Sequence, residues 1–281
     1  MSRVAIAGAG PAGLTCAIYL ARAGWSVDVY SNSENAESSL VEASIVENYP
    51  GFPDGASGFE LLNRMVEQAE KCGVCIHSEG VAKVLADERR VVDTAGNAHE
   101  YYEYVEAIGC KKRKFECKGI DLLPVHTCAI CDGSLYGKND NVVVIGGGDT
   151  AISSALYLSN LVNQVTMLVR KPKCKGTNQV ALNALSTKQN AEIMYNSTLD
   201  HIDKDALGNP ILHVAKANHY ADFMLLGVSA IFACIGSEPN VIEHIGSGKI
   251  WKCGDCAEQY EQVAIAVGSG ARVALDIIGS C

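Results

Sequence analysis

The chain lacks an excess of positive charge and lacks long hydrophobic runs. Its 23 lysines and arginines stand against 32 aspartates and glutamates, for a formal net charge of −9. A surface of this sign does not supply the positive field that nucleic-acid phosphates require. No apolar run reaches the roughly 18 residues that a membrane-spanning helix needs. We therefore expect neither nucleic acid nor a membrane as a partner.

The features of a secreted, disulfide-stabilised protein are also missing. Twelve cysteines in 281 residues fall below the density of a disulfide scaffold, which is about 8–10% of residues or more. The apolar run Val4-Ala5-Ile6-Ala7 breaks at Gly8, and the glycine pattern described next explains it better than a signal peptide does. We expect mostly reduced thiols and a cytoplasmic location.

The first thirty residues predict a nucleotide-binding βαβ unit. A short buried strand at 4–7 leads into the GxGxxG turn that begins at Gly8, and a helix and the strand 27–30 follow. In such a turn Gly8 makes the tight bend, Gly10 lets the backbone approach a pyrophosphate, and Gly13 lets the helix pack on the strand. No acid follows the second strand to hold a ribose. The predicted nucleotide contacts are Gly8, Gly10, Pro11, Ala12 and Gly13.

A second turn of this kind follows the buried strand 142–145. Its sequence, GxGxxA, starts at Gly146 and leads into a helix. After the next strand, 165–169, an acid would select NADH, whereas basic residues would select the 2′-phosphate of NADPH. The chain has basic residues there and no acid. The predicted contacts are Gly146, Gly148, Asp149, Thr150, Ala151, Arg170, Lys171 and Lys175.

Between the two motifs, the pattern predicts a helix over 59–72 and then short antiparallel strands from Gly73 to Val105. The octet His126 to Gly133 contains the pair Cys128 and Cys131, followed by Asp132. Cysteines at this spacing can close an exchangeable disulfide, and the acid can move protons for the thiols. Half of a zinc site, or two buried thiols, would also explain the pair.

Two further CxxC pairs, Cys72/Cys75 and Cys253/Cys256, could together form a four-cysteine zinc site. We do not expect this metal site, because Cys72 ends a helix and Cys75 starts a strand, so that their side chains diverge. We therefore predict no metal. His126 is interpreted as a bystander rather than as a base.

The octet and the glycine-rich strand–turn–helix after it resemble the active-site signature of low-molecular-weight thioredoxin reductases, and the resemblance runs from Val4 to Ile278. It implies an α/β fold with two Rossmann-like nucleotide-binding domains of the three-layer ββα type, the second inserted into the first. The FAD-binding domain would comprise 1–108 and 234–281. The domain 109–233 would bind NAD(P)H and carry the redox-active cysteines.

The resemblance also implies the cofactors and the roles of single residues. FAD would bind at the N-terminal turn and at segments that look like the family's flavin contacts, namely Asn48, Gly254, Asp255, Gln262, Val263 and Ala264. NADPH is the implied donor. Cys131 would face the flavin, Cys128 would attack the external disulfide, and Asp132 would donate and accept the proton.

The implied activity is transfer of electrons from the donor, through FAD and the cysteine pair, to the disulfide of thioredoxin or a thioredoxin-like protein, with a homodimer as the expected assembly. Three alternatives remain open. The donor could be ferredoxin, a deazaflavin or another non-pyridine compound. The chain could be a flavin dithiol oxidase that passes electrons to oxygen. It could also be a non-enzymatic flavin redox sensor.

Overall fold

The computed structural model describes residues 3–32, 38–43, 45–216 and 223–280. The strands are β1 (Arg3–Ala7), β2 (Ser26–Tyr30), β3 (Cys75–His77), β4 (Val81–Leu85), β5 (Arg90–Asp93), β6 (Ala98–Glu100), β7 (Glu103–Glu106), β8 (Cys110–Lys112), β9 (Val125–His126), β10 (Asn141–Ile145), β11 (Gln164–Val169), β12 (Ala191–Tyr195), β13 (Ser197–Lys204), β14 (Pro210–Lys216), β15 (Phe223–Leu226), β16 (Val228–Ala233), β17 (Ser237–Pro239), β18 (Glu243–Ile245) and β19 (Trp251–Lys252). The α-helices are α1 (Pro11–Arg22), α2 (Gly58–Lys71), α3 (Ala129–Asp132), α4 (Asp149–Leu161), α5 (Gln179–Ser186) and α6 (Val263–Gly279).

The chain divides into two compact units, Met1–Lys111 with Glu238–Cys281, and Lys112–Ser237. The first unit is built on a parallel sheet of order β19-β7-β1-β2-β3, and the second on a parallel sheet of order β12-β11-β10-β16-β9. Each unit adds a smaller sheet, β18-β4-β5-β6 in the first and β13-β14-β15 in the second. The predicted α/β class with two Rossmann-like units is confirmed.

The central strand of the first unit is buried on both faces, as a parallel sheet between two layers requires. Val4 and Ile6 pack in the helix layer that contains α1, α2 and α6. Ala5 and Ala7 point to the opposite face, into a core that contains Tyr104 and residues of β4 and β5. Alternation along one strand therefore assigns four consecutive apolar residues to two different layers.

The second unit repeats this arrangement. Val142 and Val144 pack with the apolar residues of α4 and α5. Val143 and Ile145 face the other way and pack with the hairpin β13–β14, where Leu212 is fully buried. Both nucleotide-binding turns predicted from the sequence thus follow central strands that are covered on both faces.

The expectation of antiparallel strands throughout Gly73 to Val105 is wrong at both ends of that range. β3 pairs with β2 in parallel, and β7 pairs with β1 in parallel. Only β4, β5 and β6 form antiparallel pairs with one another. The reason is topological, because α2 and then the antiparallel strands themselves act as the long crossovers that parallel neighbours need. Short strands alone do not reveal which connection is a crossover.

Candidate active site

The Cys128–Cys131 pair is joined as a disulfide, with its Cα atoms 5.4 Å apart. Cys128 is the N-cap of the single-turn helix α3, and its Sγ accepts the backbone N–H of Cys131 at 3.1 Å. Cys128 is only 8% exposed, whereas Cys131 is exposed. An N–H aimed at Sγ would stabilise negative charge that develops on that sulfur as the disulfide opens.

Asp132, the acid that follows the cysteine pair, is in contact with a histidine. The Nδ1 atom of His126 lies 3.0 Å from Oδ2 of Asp132, and its Nε2 atom lies 2.7 Å from the hydroxyl of Tyr136. The imidazole is stacked on Phe232, with ring centroids 5.1 Å apart. His126 therefore connects Asp132 to Tyr136 in a chain of three polar groups beside the disulfide.

Burial, and then the negative charges of Asp132 and Asp140, raise the pKa of Tyr136. With the Tyr136 hydroxyl as the donor to Nε2, the Nδ1 atom of a neutral imidazole carries the proton and donates to Asp132. The sequence alone identifies Asp132 as an acid next to two cysteines but does not reveal this contact. The one available signal is the shared octet, in which His126 ends β9 just before α3 begins.

The N-terminal turn has the backbone that its glycines predict. Gly8 adopts φ +105°, and a Cβ there would lie 2.3 Å from the carbonyl oxygen of Ala107. A Cβ on Gly13 would lie 2.0 Å from the carbonyl oxygen of Gly8. At Gly10, the N-cap of α1, the nearest atom to a Cβ would be Oγ of Ser38, at 3.4 Å. Bare backbone at this helix N-terminus suits a pyrophosphate.

Segments far apart in sequence meet in the first unit. The amide Nδ2 of Asn48 donates to Oε1 of Gln262 at 3.0 Å, across a separation of 214 residues. Gly254 lies against Ala12, because a Cβ on Gly254 would be 2.7 Å from Cβ of Ala12. Gln262 is the N-cap of α6. Val263 and Ala264 form the first turn of that helix, and Asp255 follows Gly254 in a 3₁₀ turn.

The residues present therefore fit a flavin nucleotide in the first unit. An open glycine at a helix N-terminus, Gly10, is where a pyrophosphate would be expected. A second helix N-terminus, at Val263, lies in the same unit as the Asn48–Gln262 pair. These features come from three separate stretches of sequence that the fold brings into one unit.

The second unit contains the GxGxxA turn. Gly146 adopts φ +145°, and a Cβ there would lie 2.2 Å from the carbonyl oxygen of Cys234. Gly148 is the N-cap of α4, and a Cβ on it would meet no atom within 4 Å. Thr150 is exposed, and Ala151 is fully buried under the turn. A Cβ at this end of α4 would meet fewer atoms than one at the end of α1, where Ser38 lies near Gly10.

The remaining residues predicted to contact the second nucleotide differ in their surroundings: one is hydrogen-bonded within the protein, and the basic ones are exposed. Asp149 is engaged by its own chain, since its carboxylate accepts the Thr177 hydroxyl at 2.9 Å and the Asn178 N–H at 2.8 Å. The backbone N–H of Lys175 donates to the carbonyl oxygen of Gly147 at 2.6 Å, which places Lys175 at the turn. The side chains of Arg170, Lys171 and Lys175 are all exposed beyond the end of β11.

Within the part of the chain that the structure describes, Cys72, Cys75, Cys253 and Cys256 do not form one group of possible metal ligands. Cys72 caps the end of α2 and Cys75 opens β3, as the sequence predicts. Burial raises the pKa of the Cys253 thiol well above its ordinary value, and burial also raises that of Cys256. Within the described ranges, the groups of three or more possible metal ligands are Asp28 with Cys75 and His77, and His201 with Asp203 and His213.

Comparison with known proteins decides the family. The sequence profile of the pyridine nucleotide-disulphide oxidoreductase family matches residues 2–248. The chain belongs to this family. As a pyridine nucleotide-disulphide oxidoreductase it is a flavoprotein oxidoreductase, and membership implies a flavin cofactor. None of the helices in the described part is long and apolar enough to cross a membrane.

Two relatives of this chain are both described as thioredoxin reductases. The chain is 32% identical to a thioredoxin reductase of Spironucleus barkhanus, over 96% of each chain. It is 31% identical to a thioredoxin reductase of Streptomyces coelicolor, over 97% of this chain and 92% of the relative. The resemblance to thioredoxin reductases seen in the sequence is confirmed.

Solved structures agree on the fold of this oxidoreductase. The thioredoxin reductase of Lactococcus lactis matches with a TM-score of 0.87 at 24% identity, over 99% of this chain and 98% of that one. The thioredoxin reductase of T. acidophilum matches with a TM-score of 0.86 at 22% identity, over 100% of this chain and 99% of that one.

Proposed function

We propose that this oxidoreductase reduces the disulfide of thioredoxin or a thioredoxin-like protein through the Cys128–Cys131 pair. The observation that carries the proposal is the disulfide itself, closed beside Asp132, whose carboxylate is held by His126. The sequence relatives described as thioredoxin reductases support the choice of substrate. Thiols elsewhere in the chain support a reducing, cytoplasmic setting, and we propose a homodimer from the resemblance alone.

The thiol chemistry follows from the geometry of the second unit. In the reduced pair, the Cys128 thiolate is stabilised by the N–H of Cys131 and attacks one sulfur of the substrate disulfide. A mixed disulfide forms, and the departing substrate sulfur takes a proton from Asp132. The Cys131 thiol then gives its proton to the Asp132 carboxylate and attacks Sγ of Cys128. The second substrate sulfur leaves and takes that proton, which restores the Cys128–Cys131 disulfide. Two thiols are oxidised and one external disulfide is reduced.

His126 is a positioning residue in this scheme. Its contacts with Asp132 and Tyr136 restrain the Asp132 side chain, which follows Cys131 directly in α3. Cys128 must become accessible for the attack, because it is the more buried of the two sulfurs. Opening of the disulfide removes the covalent tie that holds the two sulfur atoms together, and thus allows this change.

We propose FAD as the flavin, held by the domain 1–108 with 234–281. Gly8, Gly10 and Gly13 would admit its pyrophosphate, and Asn48, Asp255 and the start of α6 would contact its flavin portion. Bound FAD supplies electron transfer between a donor and the cysteine pair. The dipole of α6 stabilises negative charge placed at its N-terminus.

The domain 109–233 would hold NADPH at the turn around Gly148. The exposed charges of Arg170, Lys171 and Lys175 support a phosphate-bearing nucleotide, because they lie at the carboxyl end of β11 beside this turn. Lysine gives a point charge rather than the two-pronged hydrogen bonding of arginine. Ferredoxin and a deazaflavin are therefore tested as donors together with NADPH.

Anaerobic titration of the purified yellow protein tests both the cofactor and the donor. We expect NADPH to bleach the flavin absorbance stoichiometrically and NADH to do so at a far higher concentration. Bleaching by reduced ferredoxin or a reduced deazaflavin alone would reject NADPH. In a separate aerobic assay, peroxide formation from a dithiol and oxygen without any nucleotide would indicate the oxidase. No turnover with any donor would indicate a sensor.

Substitution at the cysteine pair tests the disulfide chemistry separately. Cys131→Ser should abolish thioredoxin reduction and leave reduction of the flavin by the donor intact. The same variant should trap thioredoxin as a mixed disulfide on Cys128, which Cys128→Ser should not do. Thioredoxin reduction that survives in Cys131→Ser, or trapping by the wrong variant, would contradict the assigned roles.

A further inference from the structure

Two stacked histidines lie on the outer face of the hairpin β13–β14, outside every residue assigned above to a nucleotide or to disulfide chemistry. His201 and His213 stand directly opposite each other in register, with ring centroids 4.1 Å apart and planes within 7° of parallel. Asp203 projects from the same face, and its Oδ1 lies 3.1 Å from Nε2 of His213. One possible ligand atom from each side chain lies within 4.8 Å of the others.

One inserted residue produces this pair. Leu199 and Ile202 are both buried although they are three positions apart, which simple alternation along a strand does not allow. The pairing register shifts between Leu199 and His201, so Asp200 is the additional residue of a bulge. The bulge returns Ile202 to the core and turns His201 outward, opposite His213.

The same bulge supplies a supporting carboxylate. Nδ1 of His201 lies 2.8 Å from Oδ2 of Asp200, so this nitrogen donates its proton and leaves Nε2 with a lone pair. Metal-binding histidines commonly donate their second N–H to a carboxylate in this way. On the partner strand, Nε2 of His213 is buried and, although Asp203 lies close to it, makes no hydrogen bond of favourable geometry within the described ranges. A cation would satisfy that nitrogen.

The geometry points to a divalent transition-metal site formed by His201, His213 and Asp203, with Asp200 as the residue that orients His201. Two imidazoles and one carboxylate suit Zn²⁺, Ni²⁺ or Cu²⁺, whereas Mg²⁺ and Ca²⁺ prefer sets of oxygen ligands. Binding of one ion requires the two stacked rings to turn about their Cβ–Cγ bonds, so that one nitrogen of each ring faces the same point. Water completes the coordination.

Calorimetric titration of the oxidised, flavin-containing protein with Ni²⁺ tests the site, since Ni²⁺ favours imidazole and the active-site thiols are closed as a disulfide. We expect a saturable site that persists in His77→Ala, a variant that breaks up the other described group of possible ligands, Asp28 with Cys75 and His77. His201→Ala and His213→Ala should each weaken Ni²⁺ affinity by at least about tenfold, the lower end of what loss of a supporting group costs a metal site. Asp203→Asn should weaken it in the same direction, and disulfide reduction should remain unchanged in all three variants.

A matched control comes from the first unit. His99 is a partly exposed histidine on an antiparallel strand that contacts a single carboxylate, Asp93. His99→Ala should retain wild-type Ni²⁺ affinity. In the unaltered protein, paramagnetic Ni²⁺ should broaden the ring signals of His201 and His213 first, a result that does not depend on any variant folding. The assignment would be overturned by the absence of saturable binding, by wild-type Ni²⁺ affinity in His201→Ala and His213→Ala, or by loss of binding in His99→Ala.

Discussion

Alanine at Gly10 separates binding of the flavin from folding of the unit that binds it. Gly10 has φ −81° and ψ −179°, an extended conformation that any residue adopts. The added Cβ would lie 3.4 Å from Oγ of Ser38 and 3.9 Å from its Cβ, within ordinary contact. Without flavin, the folded protein therefore accommodates alanine at this position. Alanine also lowers the conformational entropy of the unfolded chain, which offsets a small loss of stability in the folded state. We expect the free energy of unfolding of the flavin-free protein to change by less than about 1 kcal/mol.

The cost should appear in flavin affinity instead. A methyl group at Gly10 would stand between the backbone and the pyrophosphate, which must approach closely to reach the N–H groups of α1. Loss of two charge-assisted hydrogen bonds, at about 1.5 kcal/mol each, costs about 3 kcal/mol. Since 1.4 kcal/mol is a factor of ten, Gly10→Ala should bind FAD roughly a hundredfold more weakly and purify nearly colourless.

The second unit contains the matched control. Gly148 has φ −94° and ψ −178°, caps α4 as Gly10 caps α1, and would have no atom within 4 Å of a Cβ added to it. Gly148→Ala should keep its full flavin content and raise the KM for NADPH. The assays are the ratio of flavin to protein absorbance, FAD titration of the apoprotein, and donor kinetics. Wild-type FAD affinity in Gly10→Ala, or flavin loss in Gly148→Ala, would refute this reasoning.

Three further expectations concern other groups. His126→Phe keeps an aromatic ring but removes both hydrogen bonds, so disulfide reduction should slow by about tenfold, less than the 10²–10⁴ of a proton-transfer group itself, with an altered pH–rate profile; an unchanged rate and profile would contradict a positioning role. The hydrogen bond from His99 is the first cause that lowers the pKa of Asp93 from 3.8 to about 2, so this carboxylate stabilises the fold above about pH 4 and the stabilisation is lost as pH falls toward 2. Asp93→Asn should therefore flatten the acid limb of a stability-against-pH curve, and an identical limb would disprove the linkage. Gly13→Ala, whose Cβ would lie 2.0 Å from the Gly8 carbonyl oxygen, should lower the thermal midpoint far more than the Gly10 variant, and equal midpoints would argue against the close contact.

Local sequence patterns predict the elements that depend on periodicity. The buried strands β1 and β10 and both glycine turns are found where apolar runs meet glycines. A strand buried on both faces consists almost entirely of apolar residues, so its position can be recognised in the sequence. The helix predicted over 59–72 is observed as Gly58–Lys71. Pairing direction is not encoded locally, which is why the parallel partners of β3 and β7 could not be predicted from alternation.

The polar contacts missed by sequence reasoning depend on register rather than on composition. His126 reaches Asp132 only because β9 passes directly into α3. His201 and His213 meet only because a bulge at Asp200 resets the alternation of β13. The spacing of Leu199 and Ile202 was the one available sign of that bulge. A single inserted residue changes which face a side chain occupies, and no count of residue types records it.

The hydrogen bond between Asn48 and Gln262 has a consequence for biosynthesis. Its two partners are 214 positions apart, and α6 packs against α1 in the same unit. During translation, the N-terminal glycine turn leaves the ribosome long before the helix that completes its surroundings. With the flavin site proposed above, cofactor loading would wait until α6 has been made, and chains that end before α6 would lack colour and be open to proteolysis.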